Sequence, residues 1–240
     1  MRLYIIRHAD PDYANNTITA FGHREAQALA PRLAREGVTR IYSSPQGRAV
    51  DTARYSAESL GLDVTIEPWM HELSDMIIST DDGTFAAWDM PGALIRSHPE
   101  LLGCSEDVAG LPYMGDIPIL EALGEIEDGS RALLSSLGYE RDGPIYRCEA
   151  ASRERVALFC HDGFGRVLIS QLLGIPLGLL WAGLWLPPSS VTTMLFERRS
   201  PNIAVPRCIG FGDTSHLYEA GLPVRPRGIT SLDLDWPLPD

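Results

Sequence analysis

The sequence has no lysine at all: its 20 basic residues are all arginine. That absence excludes Schiff-base chemistry, pyridoxal attachment and the phosphate-gripping lysine of a P-loop. Cysteine is scarce as well. Cys104, Cys148, Cys160 and Cys208 are widely spaced and form no CxxC pair. They read as small buried hydrophobes in a reducing cytoplasm, with a disulfide between some pair left open. No apolar run reaches the ~18 residues of a membrane span. The opening residues run straight into a strand pattern, so no secretory leader is expected. A cytoplasmic chain with no membrane partner is the expectation. Positive charge is in deficit too, with 32 Asp and Glu giving a net charge of −12, which argues against broad nucleic-acid binding.

The acidity is unevenly placed. Residues 73–150 hold 15 Asp and Glu against 4 Arg, a net −11, whereas the rest of the chain is close to balance at −1. Up to residue 66 the pattern alternates regularly. Leu3–Ile6 is an apolar strand, and Thr19 N-caps a helix with Ala26, Leu29, Ala30 and Leu33 on one face. Gly37 stops that helix, and Arg40–Ser43 is a second strand. A helix striped with Ala49, Ala53, Ala57 and Leu60 then runs to Gly61, and Val64–Ile66 is a third strand. This rhythm predicts an α/β protein, with helices covering a mostly parallel central sheet.

Residues 73–150, broken by prolines, are expected to form helices near 84–97 and 120–137. They read as an insertion, an acidic lid over the sheet edge, within one domain spanning 1–240. Val156–Cys160 restores the pattern, followed by a helix from about Phe164 to Leu173 and closing strands at Val191–Phe196 and Ile203–Ile209. The last ten residues read as a surface tail.

The two most apolar strands each end in histidine, "LYIIRH" at His8 and "VALFCH" at His161. The loop after the second strand adds Arg48, and the loop after the third adds Glu72. In a parallel sheet these loops share one rim, beyond the carboxyl ends of the strands. Arginine forks bind phosphate oxygens, a neutral imidazole is a competent nucleophile, and a carboxylic acid can protonate a leaving alkoxide. Such a set suits phosphoryl transfer.

Four stretches, "RHAD" at 7–10, "TAFGHREA" at 19–26, "SSPQGRAVDTA" at 43–53 and "CHDG" at 160–163, resemble the motifs of the histidine phosphatase (phosphoglycerate-mutase-like) superfamily, branch 1. The resemblance implies a three-layer α/β/α sandwich. It implies His8 as the phosphorylated nucleophile, with Arg7, Arg48 and His161 on the phosphoryl oxygens and Glu72 as general acid and then base. The family's phosphatases need no metal or other cofactor, which agrees with the lack of any His/Cys cluster at ligand spacing. Departures are Ala9 for a glycine, costly if that backbone needs positive φ, Asp10 for Glu or Gln, Glu25 for Gln, and Asp162 for a glycine. An Asp directly after the second histidine is the proton donor of branch 2, so Asp162 is a second candidate acid.

Plainer roles are expected elsewhere. His23, His98 and His216 read as surface or structural residues, and His71 as packed or capping. Trp181, Trp185 and Leu186 read as core, or as a contact between copies in a homo-oligomer. Three other functions compete with a phosphomonoesterase acting on a small phosphorylated substrate. The first is a mutase of the same family, which would need cations in the acidic insertion to grip a second anion. The second is a metal-dependent HD-type phosphohydrolase using His161 and Asp162. The third is a non-catalytic phosphoprotein-binding relative. Aromatics such as Phe85, Trp88, Tyr113 and Tyr146 could face an uncharged leaving group.

Overall fold

The computed structural model describes residues 1–81, 83–115, 117–149 and 152–229; the terminal ten, read as a surface tail, lie outside them. In chain order the strands and α-helices are β1 (Arg2–Arg7), β2 (Pro11–Asp12), β3 (Thr17–Ile18), α1 (Ala20–Glu36), β4 (Arg40–Ser43), α2 (Gly47–Leu60), β5 (Val64–Ile66), β6 (Ile77–Thr80), β7 (Gly83–Ala86), α3 (Gly92–Arg96), α4 (Ile119–Ser136), β8 (Glu140–Asp142), β9 (Ile145–Arg147), β10 (Arg155–Cys160), α5 (Asp162–Leu173), α6 (Leu177–Gly183), β11 (Val191–Ser200), β12 (Ile203–Asp213) and α7 (Ser215–Glu219). Eight of these strands form one sheet in the order β5-β4-β10-β1-β11-β12-β9-β8. The first four are parallel, and each later strand runs antiparallel to its neighbour.

The period of two in β1 divides the core. Tyr4 and Ile6 pack with Leu29 and Leu33 of α1 and Ala53 and Ala57 of α2. Leu3 and Ile5 face the other way, toward Ile126 of α4, Phe164 and Leu168 of α5 and Leu180 of α6. Each such Leu, Ile or Phe side chain removed from water contributes roughly 1.5–3 kcal/mol. The result is the expected three-layer α/β/α arrangement, with β1 and β10 side by side at its centre. The caps fall where expected. Thr19 Oγ1 accepts the Gly22 N–H at 3.0 Å, and Gly37 and Gly61 end α1 and α2 at φ 68° and 64°.

The acidic stretch departs from expectation at one place. No single helix spans 84–97; the hairpin β6–β7, a short 3-10 turn at Ala87–Asp89 and the five-residue α3 stand there. The chain reverses before Gly83, whose φ of 133° suits glycine, and Pro91 then prevents a continuous helix. The second expected helix is present as α4. The four cysteines are all free, and Cys104 is exposed rather than buried. No helix among the described residues is long and apolar enough to cross a membrane.

Candidate active site

Parallel pairing places His8, just beyond β1, level with His161, just beyond β10, because Arg7 is in register with Cys160. The two imidazole centroids lie 5.2 Å apart. The His8 N–H donates to Cys160 O at 2.9 Å, which ties the two strand ends together. His8 Nδ1 lies 2.8 Å from Ala9 O. A carbonyl only accepts, so Nδ1 carries the proton and the lone pair sits on Nε2, which has no partner among the described residues. Burial first, then the Arg7 and Arg48 guanidiniums, hold the His8 pKa well below that of an ordinary histidine. His8 is therefore neutral at physiological pH. Ala9 itself is fully buried and its φ is not positive, so the strain expected of an alanine at this motif position is absent.

His161 Nε2 meets Ser44 Oγ at 2.7 Å. That hydroxyl already accepts from the Gln46 N–H, and donating its own proton to Nε2 leaves the His161 proton on Nδ1. Burial, then His8 and the arginines, keep His161 neutral as well. Arg7 donates Nη1 to Leu186 O at 2.5 Å and to Arg227 O at 3.1 Å. Arg48, in the first turn of α2, is held by Asn16 Oδ1 at 3.3 Å and Gln46 Oε1 at 3.0 Å. His161 Nδ1, Arg7 Nε and Arg48 Nε are buried donors with no acceptor among the described residues. Each such group costs about 1–3 kcal/mol, and an anion with several acceptor oxygens would satisfy such a set.

The two candidate acids sit in different environments. Glu72 Oε1 accepts the Phe164 and Leu73 N–H groups at 2.9 and 3.1 Å, and Oε2 the Gly163 N–H at 3.2 Å. Burial pushes its pKa up against these hydrogen bonds, with the Asp162 charge adding to the rise. Asp162 is in an ion pair, with Oδ2 3.0 Å from Arg166 Nη2 and 3.9 Å from Arg7 Nη1, while Oδ1 accepts the Leu186 N–H at 3.3 Å. Burial thus raises Glu72 toward its protonated form, whereas Asp162 is paired with two guanidiniums. Gly163 is needed between them, because a Cβ there would come within 2.7 Å of the Trp88 ring and 2.8 Å of Glu72 Oε1.

Arg7, His8, Arg48, Glu72 and Asp162 line one cavity of about 310 Å³, together with Ile77, Ala86, Trp88 and Asp89 from the β6–β7 hairpin and its following turn. His161 is not among the lining residues; its ring lies beside that of His8, with Nε2 against Ser44 Oγ and Nδ1 unpartnered among the described residues. Of the aromatics considered for a leaving-group contact, Trp88 lines the cavity, whereas Tyr146 packs on Phe196 and Tyr113 points to solvent. Among the described residues no group of three or more His, Cys, Asp or Glu is placed to hold a metal ion.

Several contributors escaped the sequence reading. A strap from Leu222 to Ile229 crosses the site: Arg227 O accepts from Arg7 and, at 3.0 Å, from Trp185 Nε1, and Gly228 lines the cavity. Arg227 Nε and Arg225 Nη1 fasten it to the fully buried Asp10 at 2.6 and 3.4 Å. Trp185 therefore holds the strap, while Trp181 and Leu186 are core. His216 is buried between Arg32 and Ser189, whose N–H donates to His8 O at 3.1 Å.

The sequence profile described as "Histidine phosphatase superfamily (branch 1)" matches residues 3–77. A putative phosphoserine phosphatase 2 of Hydrogenobacter thermophilus is 24% identical, over 75% of this chain and 82% of its own length. A probable phosphoglycerate mutase of Yersinia enterocolitica is 28% identical, over 73% and 76%. Among solved structures, a phosphoserine phosphatase of Entamoeba histolytica, in a complex with phosphoserine, superposes with a TM-score of 0.60 at 19% identity, over 90% of this chain and 98% of that one. At that identity the likeness is one of fold.

Proposed function

We propose, because residues 3–77 match the histidine phosphatase superfamily (branch 1), that the chain is a phosphomonoesterase that works through a phosphohistidine on His8. The observation that carries this reading is the state of His8: neutral, with its proton committed to Ala9 O and its Nε2 lone pair free, at the wall of a cavity flanked by Arg7 and Arg48.

In the first step the Nε2 lone pair attacks phosphorus and the bond from phosphorus to the ester oxygen breaks. The departing alkoxide takes the Glu72 proton. The Glu72 carboxylate then removes a proton from water, whose oxygen attacks phosphorus. The P–N bond breaks, and phosphate, neutral His8 and protonated Glu72 result. Arg7 and Arg48 supply the countercharge to the non-bridging oxygens, and the His161 Nδ1–H adds one directed donor. Asp162 positions Arg7 and Arg166 and donates no proton. Since the two arginines meet the charge of the phosphoryl group, the reaction needs no metal.

Hydrolysis is favoured over mutase chemistry because, among the described residues, the cavity lining holds no cation beyond Arg7 and Arg48 with which to grip a second anion. The relatives named for phosphoserine support a small phosphorylated substrate. The test is hydrolysis of p-nitrophenyl phosphate by the wild type, with trapping of an acid-labile phosphoenzyme and His8→Ala as the blank. A wild type that turns the ester over without ever forming the phosphoenzyme refutes the mechanism.

A further inference from the structure

Three carboxylates line the cavity, and two of them are fully engaged. Glu72 accepts three backbone N–H groups, and Asp162 is paired with Arg166 and the Leu186 N–H. Asp89 has neither an ion pair nor a hydrogen bond among the described residues. It closes the 3-10 turn after β7, next to Trp88 in the chain, and both residues line the same cavity as Arg7, His8 and Arg48. A leaving group that extends from a phosphoryl group held between the two arginines shares this cavity with Asp89 and Trp88.

The charge balance shows what this cavity accepts. A phosphoryl dianion is matched by Arg7 and Arg48, and Arg166 is matched by Asp162. Asp89 is left as one unmatched negative charge next to an aromatic ring. A carboxylate beside an indole attracts a cation and repels an anion. Asp89 is solvent-accessible, yet the surrounding protein withdraws enough water to push its pKa up to about 6, against the pull of Arg166 and Arg7 and with the Asp162 charge adding to the rise.

Building on the phosphatase reading, we propose that Asp89 and Trp88 form an ammonium subsite, and that the enzyme prefers phosphomonoesters of amino alcohols over esters whose leaving group carries a carboxylate or a second phosphate. The subsite reads the leaving group, whereas the arginine pair reads the phosphoryl group common to all substrates.

Three esters of similar size separate the two parts. O-phosphoethanolamine carries an ammonium, n-propyl phosphate no charge, and 2-phosphoglycolate a carboxylate. The wild type is expected to rank them in that order by kcat/KM. Asp89→Asn is expected to shrink the ratio of the first to the last by about tenfold or more, the scale of one unit charge at contact range in a partly solvated site. As a ratio, this readout is insensitive to any uniform loss. The same ratio in the wild type should climb between pH 5 and pH 8 as Asp89 ionises in the presence of Arg7, Asp162 and Arg166, and the climb should vanish in Asp89→Asn. Hydrolysis of p-nitrophenyl phosphate by the wild type tests the phosphatase reading separately. If that ester is cleaved while the ratio is unmoved by Asp89→Asn, or favours phosphoglycolate in the wild type, the ammonium subsite is wrong and the phosphatase stands. If no phosphomonoester is cleaved, both fall.

Discussion

Replacing Glu25 by glutamine should stabilise the protein at neutral pH and do almost nothing at pH 5. Glu25 lies on the buried face of α1 with no exposed surface, where Oε2 accepts the Asp10 N–H at 2.6 Å and Oε1 has no partner among the described residues. Burial, reinforced by the Asp10 charge, raises its pKa from 4.5 to about 8. A carboxyl that is neutral when folded and ionised when unfolded binds more protons in the folded state. Its cost to stability is therefore absent below about pH 4.5, grows as pH rises, and levels off above about pH 8. At pH 7, some 2.5 units above the unfolded value, the cost is about 3 kcal/mol. Glutamine keeps the acceptor for Asp10 but leaves an amide proton where Oε1 stood, which takes back about 1 kcal/mol. The net gain is about 2 kcal/mol at pH 7, close to zero at pH 5 and about 3 kcal/mol at pH 8. Urea unfolding of both proteins at the three pH values reads this directly. Equal shifts at pH 5 and pH 8, or a gain that falls with pH, would refute the assignment of a protonated Glu25.

His8→Ala should abolish both turnover and the acid-labile phosphoenzyme, whereas His161→Ala should retain a trace of each; EDTA should leave the wild type active, and loss with metal rescue would overturn the mechanism. Glu72→Gln should slow alkyl phosphates far more than p-nitrophenyl phosphate, whose phenolate leaves unaided, while Asp162→Asn should slow both to a smaller and similar extent by loosening Arg7 and Arg166. The reverse pattern would transfer the acid role to Asp162. Asp10→Asn should weaken inhibition by inorganic phosphate severalfold and open residues 222–229 to limited proteolysis, because Asp10 is what Arg225 and Arg227 fasten to; unchanged inhibition would mean that the strap does not support Arg7.

The parts of the fold that were legible are those with local signals. The strands at 40–43 and 64–66 and the helix ends at Gly37 and Gly61 needed only an apolar period and a left-handed glycine to be placed. The convergence of His8, Arg48, Glu72 and His161 followed from strand ends sharing one rim, which requires only that the sheet be parallel there. The hairpin at 77–86 was less visible, because Ile77, Ile78, Phe85 and Ala86 lack clean alternation and the helical reading of 84–97 absorbed its second strand. The ion pair of Asp162 with Arg166 did carry a signal, four residues apart at a helix start, and it distinguishes the two candidate acids better than either motif does. The strap had no comparable signal. Nothing within "LPVRPRG" indicates that its arginines meet Asp10, some 215 positions earlier.

That pairing also sets a timetable. Arg7 is made well before its acceptors, the carbonyls of residues 186 and 227, which lie 179 and 220 positions later. At about 5–20 residues per second, the guanidinium waits on the order of 10–40 s for the second of them. Over that interval β1 also lacks its neighbours β10 and β11, so the nascent chain holds an apolar strand ending in an unpaired cation. The wall of the cavity is therefore completed only once residues 227 and 228 have been made, and a chain stalled before them would lack the strap across the site.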